Sequence, residues 1–129
     1  MSAYTIVNLM EDVEDTVGPR VPGIEGRFAR SHLDSEHLGV SHFRFEANRR
    51  AENGHSHREQ EEVYVVLDGS ARMLLDGEVH EVKQWDVIRV APSTVRAFHT
   101  GPDGLELLVV GSDRPEGGDG EQTPAVWPD

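Results

Sequence analysis

Short stretches in which apolar and polar residues alternate run through most of the chain, and no helical periodicity long enough to compete with them is present. Residues 40–46 (VSHFRFE) set Phe43 and Phe45 on one face, and 62–68, 71–76, 78–83, 86–91, 95–100 and 105–110 read as further short strands divided by Gly, Pro, Asp or Ser. Asp76-Gly77 predicts a type I′ hairpin, because both of its central positions need positive φ, and Asp68-Gly69 predicts a similar turn one strand earlier. Weaker alternation places an edge strand at 4–9, an acidic Gly/Pro loop after it, and a strand near 24–32. Parity puts Glu62, Tyr64 and Val66 on the inward face of their strand and Val63, Val65 and Leu67 on the other. Leu105, Leu107 and Val109 form one apolar row while Leu108 and Val110 form another, so that strand should be covered on both sides by a second sheet or a partner subunit. Short strands at this spacing predict an all-β sandwich or jelly-roll barrel.

The barrel is expected over 21–111, preceded by the edge strand and loop of 1–20 and followed by a Gly/Pro/acidic tail over 112–129, in which Val126 and Trp127 are the residues apolar enough to dock. With 129 residues there is room for one core. A net charge of −12, with eleven arginines scattered singly or in one pair, argues against nucleic acid as a partner. No run of 18 apolar residues and no basic-then-apolar leader is present, which gives the expectation of a cytoplasmic protein with no membrane partner. The absence of cysteine means that any metal must be held by nitrogen and oxygen.

One cluster has the spacing for that. His55 and His57, two apart on an extended segment, present two imidazoles to one point, and Glu62 beyond a short polar turn adds an oxygen. Two His and one carboxylate with open positions suit iron(II) and, more loosely, manganese, nickel or zinc. In these residues the chain resembles the cupins, whose first motif is G-x5-H-x-H-x3,4-E-x6-G. His55, His57, Glu62 and Gly69 satisfy it, and Arg49 stands where the leading glycine would be. The resemblance implies a double-stranded β-helix, the jelly-roll cupin barrel, with a pocket for a small molecule, a metal on the three motif residues, and commonly a homodimer.

The second motif, G-x5-P-x-G-x2-H-x3-N, is not kept: Trp85, Ala91, Ser93, Arg96 and Thr100 occupy its defined positions. Arg96 replaces the family's third histidine, and a guanidinium, always protonated, does not ligate metal. His99 lies on the opposite strand face, as does Glu61 relative to Glu62, so neither is expected at the site; His32, His37, His42 and His80 are expected to be surface or structural. Two functions therefore compete. In one, a metal-dependent oxygenase or isomerase uses Arg96, with Tyr64 and Phe98 in the pocket wall, to bind a small, anionic molecule. In the other, Arg96 pairs with Glu62 in a metal-free barrel that binds or senses a small ligand. Neither reading calls for an organic cofactor.

Overall fold

In the computed structural model, which describes residues 3–129, eight strands form one strongly curled antiparallel sheet with a single four-residue helix. They are β1 (Ile24–Phe28), β2 (Gly39–Phe45), β3 (Asn53–His57), β4 (Glu62–Leu75), β5 (Glu78–Lys83), β6 (Val87–Val90), β7 (Arg96–Gly111) and β8 (Gly120–Pro124), with α1 (Arg30–Leu33) between β1 and β2. The order β1-β2-β7-β3-β8 runs along one side, while β4 pairs with β5, β6 and β7. Strand β7 thus joins the two halves. Its C-terminal part pairs with β2 from Gly39↔Gly111 to Phe45↔Leu105, and its first residue pairs with β3 at His55↔Arg96. This is the jelly-roll topology that the alternation predicts.

The core sits between the two halves and follows the expected parity. Tyr64, Val66, Met73, Leu105, Leu107 and Val109 are buried in one cluster, with Phe43 and Phe45 packed against it. Val63, Val65, Leu108 and Val110 face the other way and are half-buried. Asp76 and Gly77 have φ of 49° and 85°, as the type I′ turn between β4 and β5 requires.

Four local expectations are corrected. The stretches 62–68 and 71–76 are one strand, β4, and 95–100 and 105–110 are one strand, β7. Asp68-Gly69 is a bulge and not a reversal: the β4–β7 register slips between Val66 and Asp68 and again between Gly69 and Ala71, where residues 101–104 of β7 stand opposite Ser70 alone. The bulge bends both long strands across from one half of the barrel to the other. Gly69 takes φ of 78° and lies against the Gly104 backbone, so Gly69→Ala is expected to lower stability by about 2 kcal/mol, measured as a shift in urea midpoint without change in m. Residues 4–9 form no strand, and Tyr4 and Ile6 are exposed; their alternation finds no sheet edge to pair with. The strand near 24–32 stops at Phe28, because the chain turns into α1 and leaves it through Asp34 in the left-handed region.

The segment after Gly111 also belongs to the sheet. Its strand β8 pairs with β3 from Asn53↔Pro124 to His57↔Gly120. Beyond it Trp127 docks on the barrel: its Nε1 donates to the Ala51 carbonyl at 3.0 Å, Arg50 lies over the ring at 5.0 Å, and His99 meets it edge-on. Val126 stays exposed.

Candidate metal centre

Strand β3 crosses the barrel with His55 and His57 on one face, their rings 5.2 Å apart and perpendicular. Glu62 opens β4, and its inward parity carries the carboxylate to the same place. Its Oε1 lies 3.6 Å from His55 Nε2 and 3.4 Å from His57 Nε2, and one ligand atom from each of the three residues falls within 4.8 Å of the others. The grouping expected from spacing is therefore present in space.

The same oxygen accepts a hydrogen bond from the Tyr64 hydroxyl at 2.7 Å and lies 3.5 Å from Arg96 Nη2. Burial works to raise the Glu62 pKa, but the effects that outweigh it, led by hydrogen bonds from His55 and Tyr64, leave Glu62 below its ordinary value and ionised at neutral pH. Burial and the Glu62 charge push the Tyr64 hydroxyl well above the ordinary tyrosine value, so it stays protonated.

His57 is held from behind by a residue that the sequence reading missed. Asp119 Oδ1 accepts from His57 Nδ1 at 2.8 Å, while Oδ2 accepts from the Glu59 and Gln60 N–H groups at 2.7 and 2.9 Å. Burial opposes ionisation of Asp119, yet these three donors bring its pKa down to about 2. An ionised carboxylate only accepts, so the His57 proton sits on Nδ1 and Nε2 is turned toward the cluster. That Nε2 is buried and has no hydrogen-bond partner. Nothing local marks Asp119 in the run EGGDGE; only the β3–β8 pairing brings it here.

Arg96 points inward, as its position predicts, and is 1% exposed. Its Nη1 donates to the Thr94 and Pro92 carbonyls at 2.9 and 3.3 Å, with longer contacts at 3.5 Å from Nη1 to His55 O and from Nη2 to Ala91 O. His99 and Glu61 lie outside the cluster, the first against Trp127 and the second paired with Arg89 at 3.2 Å. His42 is buried but bonds to Glu106 at 2.7 Å, a structural pair. His55, His57, Glu62, Tyr64, Arg96 and Phe98 all line one cavity of about 830 Å³. Its other walls mix apolar side chains with arginines and other polar groups.

The fold and this cluster define a class: an all-β jelly-roll barrel with two imidazoles and a carboxylate converging in its cavity. The family profile of the cupin domain matches residues 41–111, and the chain belongs to the cupin family. A 40-residue stretch is 45% identical to the uncharacterised protein MJ1618 of Methanocaldococcus jannaschii, covering 31% of this chain and about a third (32%) of that one. Among solved structures, the polyketide cyclase RemF from Streptomyces resistomycificus superimposes with a TM-score of 0.71 at 23% identity over 97% of this chain and 87% of its own. The Streptomyces protein PAC13, solved with uridine, gives 0.76 at 17% identity over 98% and 94%. At these identities the likeness establishes the barrel and leaves the chemistry to the site.

Proposed function

We propose that the chain is a small metal-dependent cupin enzyme in which His55, His57 and Glu62 hold one divalent transition metal at the floor of the cavity. The observation that carries this reading is the state of His57. Asp119 fixes its proton on Nδ1, and the buried Nε2 that remains makes no hydrogen bond and faces His55 and Glu62. A carboxylate behind a histidine is the usual support of a metal-ligating imidazole. When bound, the metal supplies Lewis-acid polarisation of a substrate oxygen or, as iron(II), access to dioxygen chemistry.

The chain's own residues account for the rest. Tyr64 orients the Glu62 carboxylate through its hydroxyl, and Arg96 braces the loop before β7. Phe45, Phe98 and Leu107 in the wall give an apolar body a surface to lie on. Oxygenation or isomerisation of a small organic molecule is the chemistry these parts serve, and dioxygen consumption separates the two.

One contact favours a second reading. Arg96 Nη2, 3.5 Å from Glu62 Oε1, sets a fixed positive charge beside the cluster. At roughly 5 Å and an effective dielectric near 20, that charge disfavours a cation by about 3 kcal/mol per unit charge. Arg96 then takes the metal's place, and the barrel binds or senses a small ligand without one.

Elemental analysis distinguishes the readings. Protein made without a metal-binding tag and incubated with iron(II), manganese, nickel or zinc is expected to retain near-stoichiometric metal, and His57→Ala to retain none. Metal-free wild-type protein under all four conditions would overturn the first reading in favour of the second.

A further inference from the structure

The cavity carries positive charge that the three-residue cluster does not use. Five of the eleven arginines line it: Arg30, Arg49, Arg50, Arg96 and Arg114. Three of them are engaged. Arg96 braces its loop and touches Glu62, Arg49 donates to Glu46 at 2.8 Å and to the Pro22 carbonyl at 3.0 Å, and Arg50 pairs with Asp129 while covering Trp127. Arg30 and Arg114 have no carboxylate partner among the described residues, in a chain with 24 acidic side chains to 12 basic ones. Partial burial and the charge of Arg114 both hold Arg30 below the ordinary arginine pKa, and Asp113, which partly offsets them, is itself bonded to His37. Two like charges thus share the cavity wall, Arg30 bonded to the Ser112 carbonyl and Arg114 two residues further along the chain. An anion between them relieves the repulsion.

The seat of Arg30 is built into the sheet. A Cβ on Gly39 would come within 2.6–2.9 Å of the guanidinium, so the missing side chain leaves the space that the guanidinium fills, and Nη2 is anchored on the Ser112 carbonyl at 2.7 Å. Gly111, paired with Gly39 on one side and Glu62 on the other, is covered by the Gln60 amide. Across the sheet the row therefore reads Arg30 over Gly39, Gln60 over Gly111, then Glu62. Gly39 and Glu62 are two strand spacings apart, about 10 Å. All four phenylalanines line the same cavity in a chain of ring contacts: Phe28 to Phe43 at 5.5 Å, Phe43 to Phe45 at 6.0 Å, Phe45 to Phe98 at 6.1 Å.

We propose that Arg30 and Arg114 form an oxyanion clamp, and that the ligand has an aromatic or otherwise apolar body with a carboxylate or phosphate held about 10 Å from the His55–His57–Glu62 centre. The inference rests on the reading of this cavity as the active site and narrows its substrate. A two-carbon diacid is too short to reach both ends, and a neutral molecule leaves the clamp unfilled.

The test follows arginine Nε–Hε NMR signals while metal-free and zinc-treated protein are titrated with 3-phenylpropionate, phenyl phosphate and the neutral 3-phenylpropionamide. Binding of an anion at least about tenfold tighter than the amide, with shifts at Arg30 and Arg114, is expected, as is a loss of about tenfold in Arg30→Gln and in Arg114→Gln. A response to one anion alone supports the clamp and assigns its oxyanion. Because Arg114 is exposed on a loop, its variant tests the clamp even if Arg30→Gln proves unstable. Equal affinity for anion and amide, unchanged anion affinity in both variants, or no shift with either anion up to its solubility overturns the clamp. The anion titration in metal-free protein and the metal content are read separately, so failure of the clamp and failure of the metal reading are distinguishable.

Discussion

Arg96→Ala is expected to lower the unfolding free energy by about 3–5 kcal/mol, the largest effect of any single substitution considered. The side chain is fully enclosed, and its guanidinium ties together the carbonyls of Pro92 and Thr94 in the turn between β6 and β7. Truncation takes the donor from the Thr94 carbonyl, while Pro92 keeps the His57 N–H at 2.7 Å, and leaves the Glu62 carboxylate without its neighbouring positive charge. Urea unfolding with m checked for constancy measures it, and a loss below about 1 kcal/mol would contradict the bracing role. Since part of the cost belongs to the loop carbonyls, the stability loss alone does not say whether Arg96 and Glu62 act as a pair. The double-mutant cycle with Glu62→Gln does. A coupling of about 1 kcal/mol or more marks a true ion pair and supports the metal-free barrel, whereas a coupling near zero leaves Glu62 available to a cation.

Asp119→Ala is expected to weaken metal binding by about 10- to 100-fold while leaving all three donor residues in place. The variant loses the acceptor that holds the His57 proton on Nδ1, so the imidazole is free to turn and to place that proton on the nitrogen facing the cluster. It also frees the N–H groups of Glu59 and Gln60 at the approach to Glu62. Competition against a chromophoric chelator measures the affinity. Acid unfolding supplies a second readout. Folding lowers the Asp119 pKa from 3.8 to about 2, so the folded state favours the ionised form. Its contribution, on the order of 2 kcal/mol, is present above the unfolded value and is lost as pH falls through the folded one. The wild type should therefore lose stability between about pH 4 and pH 2 more steeply than Asp119→Ala. Equal slopes would rule out this role for the carboxylate.

What the sequence disclosed about this site and what it withheld divide along a physical line. His55, His57 and Glu62 are joined by seven residues of chain, and strand parity with one short turn is enough to aim them together. Parity also placed Arg96 inward and His99 outward, because alternation is a local property. Asp119 is more than sixty residues from His57, and no periodicity in its Gly-rich surroundings forecasts that β8 will lie beside β3. Arg30 and Arg114 were invisible for the same reason: each looks like one more scattered arginine until Gly39 and Ser112 are seen to seat the first and the cavity to bring the second beside it. The bulge at Gly69 was misread as a turn because a glycine after an aspartate signals positive φ equally well in both, and the difference lies in whether the strand has a partner that continues past it.

The position of β8 gives the far end of the chain a hold on the centre. His55, His57 and Glu62 are brought near one another by a short stretch of chain, but the proton on His57 is assigned by Asp119, which the pairing of Gly120–Pro124 with β3 holds in place. If a metal occupies the centre, its binding and closure of that last strand are linked equilibria, each favouring the other by the same factor. A copy with β8 peeled away would keep every donor atom of the cluster and lose the carboxylate that orients His57.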